Sequence, residues 1–278
     1  MTDKTDITVL KDIDYLGPDR AEKMDAYLPP ASCPGPHPAV LLIHGGGWRI
    51  SDKAADREIS IGNDLASSGY AVFSINYLLN EGHKDENGKV TLTKIAWPQN
   101  FLDCKSALRY LRAEASQYNL DPERIATMGG SAGGHLAMLV GTTANHSAFN
   151  EQGLYTDQAN DVSCIITLYG EYDLRARPLC PVAGKTRAET AANTHDASPI
   201  NWIDKHTPPM LIVHGTADHI IPVERSRLLA RHLSEMGLDY WYVEISGAPH
   251  TFDLHPEQMD LEPTTLSFLR KHLGEPPK

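Results

Sequence analysis

The chain alternates between short apolar runs and longer stretches whose apolar residues have helical spacing. Several of the runs are apolar at consecutive positions, which is typical of parallel strands that are covered on both faces. The clearest runs are Ala39–His44, Tyr70–Tyr77, Arg124–Gly129, Val162–Tyr169, Met210–His214 and Tyr240–Ile245. Two earlier segments, near Thr8–Tyr15 and Lys23–Leu28, alternate with polar residues and predict an antiparallel hairpin at the edge of the sheet.

The stretches between these runs favour helices. One set of apolar positions recurs at intervals of three and four residues and shares a helical face: Phe101, Cys104, Leu108, Leu111 and Ala115. Further helices are predicted between Pro222 and Gly237 and over Pro263–Leu273. The alternation predicts one domain over residues 1–278, with a doubly wound, mostly parallel α/β sheet and an antiparallel N-terminal edge.

Two segments interrupt this alternation. Leu79–Pro98 is polar with an Asn-Gly pair near its centre, and Glu171–Pro208 has few aliphatic residues and no clear period. Long irregular segments in compact domains are commonly functional. Because both segments follow strands, we expect them to form loop-like walls of a pocket, with residues 171–208 as a small cap or lid insertion within the domain.

Charge and composition narrow the choice of partners and location. The net charge of −11 and the absence of a basic stripe exclude a nucleic-acid partner. No apolar stretch is long enough to span a bilayer, and the N-terminus lacks the apolar core of a secretory signal, so we expect a cytoplasmic protein. A leader that was cleaved earlier would leave no trace here. Cytoplasmic thiols are usually free, although pairing of Cys33 with Cys180 stays open.

The strongest chemical signal is the G-x-S-x-G sequence at Gly129–Gly133. It follows a predicted strand and precedes a predicted helix, and this is the setting in which such a serine acts as a nucleophile. Glycines at the flanking positions allow a sharp chain reversal, and the following helix directs free N–H groups towards developing negative charge. The alternative is a glycine-rich turn in which Ser131 caps a helix.

A second signal is His44-Gly45-Gly46-Gly47-Trp48, at the end of the first buried strand. Consecutive glycines let backbone N–H groups approach a ligand closely, and an H-G-G-G sequence in this place supplies part of an oxyanion hole. We assign the donors to Gly46, Gly47 and Ala132. We expect His44 to brace the loop and to take no part in proton transfer.

A serine nucleophile needs a base, and the base needs an acid to orient it. Among thirteen histidines, His250 follows the last predicted strand, where the chain order Ser, acid, His places the base. Asp218 follows the preceding strand and is the favoured acid. His255, which we expect to open the last helical segment, and Asp173 are the competing residues.

Other residues carry weaker signals. Trp48, Tyr77, Trp97 and His135 are candidate walls of the substrate pocket, although each also suits a packed core. The histidine spacings match no known zinc site, and the chain has neither a phosphate-binding loop nor a dinucleotide fingerprint. We therefore predict no metal and no cofactor. The oligomeric state, monomer or homodimer, stays open.

Taken together, the sequences HGGGW, GYAVFSINY, DPERIATMGGSAGGHLA, MLIVHGTADHIIP and GAPHTF resemble those of α/β-hydrolase esterases related to hormone-sensitive lipases, close to bacterial carboxylesterases. The resemblance runs from about Ala39 to Leu273. It implies the α/β-hydrolase fold, the catalytic residues Ser131, Asp218 and His250, and no cofactor. Gly130 departs from the family pattern, which often has Asp before the serine. Because little of the sequence precedes the first predicted strands, we also expect the large N-terminal cap of the lipase-like members to be missing.

These features predict a serine hydrolase that cleaves carboxylic esters through an acyl-enzyme. The thin cap favours short-chain or small soluble esters, among them acetyl esters of sugars. Two alternatives stay open: an amide-cleaving relative, such as an arylformamidase or peptidase, and a ligand-binding member of the fold that has no catalysis.

Overall fold

The computed structural model describes residues 6–88, 90–176 and 180–277, so that Lys89 of the first insertion and residues 177–179 of the second lie outside the described part. The strands are β1 Thr8–Ile13, β2 Met24–Leu28, β3 His37–Ile43, β4 Ala71–Ile75, β5 Glu81–Lys84, β6 Val90–Lys94, β7 Leu120–Gly130, β8 Cys164–Leu168, β9 Met210–Gly215 and β10 Tyr240–Ile245.

The helices lie between and after these strands. They are α1 Asp56–Ser67, α2 Gln99–Ala113, α3 Ala132–Thr142, α4 Ser147–Asn150, α5 Arg187–Asp196, α6 Glu224–Glu235 and α7 Glu262–Leu273, with short 3₁₀ turns at Leu174–Ala176 and Pro199–Asn201. Within the described ranges, no helix combines the length and the apolar character needed to cross a bilayer.

Eight strands form one sheet in the order β1-β2-β4-β3-β7-β8-β9-β10. The pairs β1–β2 and β2–β4 are antiparallel, whereas every pair from β4 to β10 is parallel. The predicted doubly wound sheet with an antiparallel N-terminal edge is therefore confirmed.

The consecutive apolar positions of the strands cover both faces of the sheet. In β3, Leu41 and Ile43 belong to the core on the side of α2, α3 and α6, while Val40 and Leu42 belong to the core on the side of α1 and α7. All four side chains are fully buried. Burial on both faces explains why this strand lacks the apolar–polar alternation of a sheet with one face in water.

Both interrupting segments contain regular structure that the sequence pattern did not predict. In the first segment, β5 and β6 pair as a separate antiparallel hairpin. In the second, the polar helix α5 has no buried residue, and Thr186 caps it by accepting a hydrogen bond from the Glu189 N–H. A helix without a buried stripe gives no periodic signal, and capping holds its first turn instead. The expectation of loop-like insertions was wrong on this point.

The loop that follows β10 is tied to two helices through His255. Its Nε2 lies 2.9 Å from Asp64 of α1, its Nδ1 lies 3.2 Å from Asp260, and Glu262 of α7 is 3.7 Å away. Because α7 begins at Glu262, the expectation that His255 opens the last helical segment was wrong. Burial alone would lower the pKa of His255, but hydrogen bonding and charge from Asp64, with Asp260 and Glu262, raise it.

A raised histidine pKa makes the contribution of His255 to stability depend on pH. The contribution is complete below the unfolded histidine pKa of about 6.5 and is lost as pH rises through the higher folded value. We expect H255Q to lower the free energy of unfolding by up to about 1 kcal/mol near pH 6, since the ring is partly exposed, and by less near pH 9. Urea unfolding near pH 6 and near pH 9 measures the loss in free energy, with substitution of the exposed His206 by Gln as the control. An equal loss at both values would contradict it.

Candidate active site

The centre of the site is the turn between β7 and α3, where Ser131 has φ +55° and ψ −120°. A positive φ is unfavourable for a residue with a Cβ, and it persists only where the surroundings enforce it. Here the Ser131 N–H donates to the Leu168 carbonyl at 2.9 Å, and the Ser131 carbonyl accepts from the His135 N–H at 3.0 Å. The backbone is therefore held on both sides of the side chain.

The turn also requires a close approach between α3 and β3. A Cβ on Gly133 would lie 1.9 Å from the Ile43 carbonyl oxygen, a distance that no side chain can adopt. Glycine at this position lets the first turn of α3 rest against the end of β3. The free N–H groups at the start of α3, that of Ala132 among them, are thereby fixed beside Ser131.

Three side chains from three strand ends meet at this turn. His250 Nδ1 lies 2.6 Å from Asp218 Oδ2, and His250 Nε2 lies 3.0 Å from Ser131 Oγ. Because the ionised carboxylate can only accept, Nδ1 carries the proton and Nε2 is free to accept from the serine hydroxyl. This geometry allows a histidine to remove the proton from a serine as its oxygen attacks a carbonyl carbon.

The Asp218 carboxylate is buried but well supplied with donors. The backbone N–H groups of Ile220 and Ile221 donate to Oδ1 at 2.8 and 2.9 Å, and His214 Nε2 lies 3.1 Å from Oδ2. Burial alone would raise the pKa of Asp218, but hydrogen bonds from His214 and His250 and from these N–H groups hold it well below its usual range. Asp218 is therefore ionised at neutral pH and orients His250.

His214 is a supporting residue that the sequence reasoning missed. It is fully buried, and its Nδ1 lies 2.7 Å from Ser226 Oγ, while Nε2 faces both Asp218 and the Ile221 carbonyl. The only available signal was its place at the end of the strand that precedes Asp218. The partners of a buried histidine lie on other elements, so sequence spacing does not reveal them.

The glycine loop, residues 44–48, lies against the serine turn because β3 and β7 are neighbours in the sheet. Gly46 has φ +90°, and a Cβ there would meet the Ile50 carbonyl oxygen at 1.9 Å. His44 is buried and stacks on the Tyr77 ring at 4.5 Å. Burial lowers the pKa of His44 to about 4, so its ring is neutral at pH 7. The structure thus places His44 beneath the loop, where the sequence led us to expect a brace.

A cavity of about 450 Å³ opens above Ser131 and His250. Its walls are the glycine loop, the first turn of α1, and side chains that follow β8, β9 and β10, namely Tyr169, Ile221 and Thr251. The Tyr169 ring contacts the His250 ring with centroids 4.8 Å apart and an edge-to-face tilt. Every wall thus comes from the carboxyl edge of the sheet or from α1.

Of the four candidate pocket walls, Trp48 lines this cavity and the other three do not. Tyr77 is buried and donates its hydroxyl to the carbonyls of the glycine loop. His135 is buried between Trp48 Nε1, at 3.2 Å, and the Ala197 carbonyl, at 2.6 Å.

Trp97 lines a separate cavity of about 830 Å³ between β6 and the segment around α5. The expectation that both insertions wall the serine site was wrong, because the described parts of both face this second cavity.

The competing residues lie elsewhere. Asp173 pairs with Arg175 at 2.8 Å, and His255 pairs with Asp64 at 2.9 Å.

Within the described residues, Asp64, His255 and Glu262 place ligand-type atoms within 4.8 Å of one another, as a metal site would require. They come from separate segments, so sequence spacing could not reveal the group. Because ion pairs already join His255 to its neighbours, and the group lies outside the serine cavity, we assign it no metal.

A mostly parallel sheet with a serine on a strand-to-helix turn defines the class of α/β-hydrolase proteins. Within this class, residues 24–233 match the family model described as BD-FAE, and the chain belongs to that family.

Two curated relatives and two solved structures illustrate the likeness. Esterase LipC of Mycobacterium tuberculosis is 30% identical over 86% of this chain, and the probable carboxylic ester hydrolase LipM of the same organism is 30% identical over 87%. The chain spans 59% and 56% of their lengths. A truncated carbohydrate esterase from gut microbiota superposes with a TM-score of 0.81 at 25% identity, covering 96% of both chains. Esterase 2 of Thermogutta terrifontis superposes with a TM-score of 0.75 at 24% identity, covering 99% of this chain and 97% of that one.

The support beneath the glycine loop leads to a prediction about stability. Y77F removes the hydroxyl that lies 3.0 and 3.2 Å from the His44 and Gly45 carbonyls and leaves both without this donor. We expect the free energy of unfolding to fall by about 1–3 kcal/mol. The matched control is Y70F, since the Tyr70 hydroxyl is buried without a hydrogen-bond partner among the described residues. Urea unfolding should show Y70F equal to the wild type or more stable; equal losses in both variants would contradict the prediction.

Proposed function

We propose that this protein hydrolyses carboxylic esters, with Ser131 as nucleophile, His250 as base and Asp218 as the acid that orients the base. The observation that carries the proposal is the pair of contacts made by His250, 3.0 Å to Ser131 and 2.6 Å to Asp218. The names of the relatives LipC and LipM support ester hydrolysis rather than another reaction of the fold.

The reaction proceeds in two acyl transfers. Ser131 Oγ attacks the ester carbonyl while its proton passes to His250 Nε2, and the same proton then goes to the departing alcohol. Water, deprotonated by His250, attacks the acyl-enzyme, and the acid leaves as Ser131 recovers its proton. The carbonyl oxygen bears negative charge in both steps, and the N–H groups of Gly46, Gly47 and Ala132 stabilise this charge by donating hydrogen bonds to the oxygen.

The cavity favours small substrates. A volume of about 450 Å³ lies towards the lower end of ligand pockets and suits a short acyl chain with a modest alcohol. The likeness to a carbohydrate esterase supports acetyl esters of sugars as one group of substrates.

Residues 171–208 then form a small cap within a single domain. This role is supported by the contact between the Ala197 carbonyl and His135 of α3 and by the bond from Asn80 to the Pro181 carbonyl at 3.0 Å. The first contact joins the cap to α3, and the second joins it to the first insertion. The described part of the cap borders the second cavity and not the serine cavity.

The serine assignment is tested by active-site labelling. We expect a fluorophosphonate probe to label the wild type and not S131A, because the probe bonds to an activated serine oxygen. S163A is the control for labelling of an unrelated serine, since Ser163 lies at the amino end of β8 and its hydroxyl donates to the Glu123 carbonyl. A wild-type protein that does not react would favour the ligand-binding alternative.

The choice of acid is tested by a pair of matched variants. D218N leaves the shape of the site but favours the wrong histidine tautomer, and we expect kcat to fall on the order of 10⁴-fold, as in other serine triads. D173N removes a carboxylate that contacts Arg175 and should change kcat little. Rates with p-nitrophenyl acetate measure both variants, and a larger loss in D173N would overturn the assignment.

A comparison of substrates distinguishes ester from amide chemistry. An acylamino-acid-releasing enzyme of Arabidopsis thaliana also matches this chain, at 25% identity, so amide cleavage is the second candidate. We expect kcat/KM to be greatest for p-nitrophenyl acetate among an acetyl ester, a formylated aromatic amine and an N-acetyl amino-acid anilide. Preferential cleavage of either amide would replace the ester assignment.

A further inference from the structure

Arg57 brings a positive charge into the serine cavity. It is the second residue of α1, and its side chain is only 11% exposed. Among the described residues that line the cavity, it is the only arginine or lysine. It also forms part of the wall of an adjoining cavity of about 750 Å³, so it stands where the two spaces meet.

The position of Arg57 depends on the glycine that precedes the serine. A Cβ on Gly130 would lie only 2.2 Å from Arg57 Nη1. The guanidinium therefore occupies the space that any larger residue at position 130 would need. Gly130, where the chain departs from the family pattern, leaves the space beside Ser131 that the Arg57 guanidinium fills.

The hydrogen bonds of Arg57 leave part of the guanidinium available. Nε and Nη2 both donate to Glu58 Oε1, and Nη1 donates to the Tyr169 hydroxyl at 3.3 Å. These bonds use three of the five N–H groups of an arginine. The two remaining groups, one on each terminal nitrogen, donate to none of the described residues. The Tyr169 hydroxyl in turn donates to the Phe252 carbonyl at 2.7 Å, which holds it in place.

We propose that Arg57 is a specificity-determining residue that binds a carboxylate carried by the ester substrate. The inference rests on the proposed esterase function and names its substrate class: small esters that bear a free carboxylate on the acyl or the alcohol part. A planar guanidinium with N–H groups on both terminal nitrogens matches a carboxylate better than it matches a single hydroxyl.

Glu58 limits the strength of this site and fixes its geometry. Its carboxylate is 2% exposed and neutralises Arg57, so the cavity carries little net charge. The preference for a substrate carboxylate therefore comes from directed N–H donors at short range. One charge-assisted hydrogen bond corresponds to a change of about tenfold in kcat/KM.

The test compares anionic esters with neutral esters of the same shape, in two arms. On the acyl side, monoethyl succinate is compared with ethyl isocaproate; on the alcohol side, acetoxyacetate is compared with isobutyl acetate. In each arm the readout is the ratio of kcat/KM for the anionic ester to kcat/KM for the neutral ester, followed by acid release at constant pH. The arm in which R57Q lowers this ratio identifies the part of the substrate that carries the carboxylate.

We expect R57Q to lower the ratio about tenfold in one arm, while the neutral ester changes little. R57K should retain part of the ratio, and G130A, whose Cβ displaces the guanidinium, should lower it as R57Q does. R231Q, which removes an exposed positive charge on α6, is the control for net charge. Since R57Q leaves Glu58 buried without its partner, R57Q/E58Q replaces it if thermal unfolding shows that R57Q is not folded.

A ratio within twofold of the wild type in both arms overturns the inference and leaves the esterase function intact. An equal loss on anionic and neutral esters also overturns it, because Arg57 then acts through Tyr169 and His250. If the wild type hydrolyses neither the anionic nor the neutral esters, the proposed function itself fails, and this inference fails with it.

Discussion

The turn at Ser131 is the constraint on which the rest of the site depends. A serine with φ +55° is unfavourable in isolation, and it exists here because β7, β8 and α3 hold its backbone from both sides. The same turn brings α3 within contact of β3, at a position where only glycine fits. Close packing of strand against helix thereby places the serine hydroxyl and the free N–H groups of α3 on one side of an attacked carbonyl.

Parallel sheet order explains how distant segments converge on this turn. The glycine loop follows β3, which neighbours β7, and Asp218 and His250 follow the neighbouring strands β9 and β10. The carboxyl ends of parallel strands lie at one edge of the sheet, so residues separated by more than a hundred positions become neighbours. The buried Asp218 completes the arrangement, because four donors keep its carboxylate ionised without access to water.

The serine cavity is bordered by the loops that carry the proposed catalytic residues and also by α1, which carries none of them. The walls of the cavity come from α1 and from short loops, and Arg57 occupies the space that Gly130 leaves free. The two insertions, which differ most from the regular alternation of the chain, instead border a second cavity. Among the described residues, those of the two insertions therefore do not line the serine cavity.

Much of the fold could be predicted from the sequence. Apolar runs and helical spacing reflect burial against a sheet, and burial is a local property of each segment, so β3, β9 and β10 lie within a few residues of their predicted bounds. The hairpin β5–β6 and helix α5 escaped prediction because polar elements outside the core carry no such signal.

The sequence by itself determined which residues we propose for the serine chemistry. The spacing of Gly129–Gly133, the glycines after the first buried strand, and the chain order of Asp218 and His250 are local patterns that follow from required backbone geometry. Only the tertiary structure decided which residues surround them. His214 and Arg57 reach the site across elements far apart in the chain, and Tyr77 and Trp97 face away from it. No sequence spacing encodes such contacts, because they depend on how strands and helices pack together.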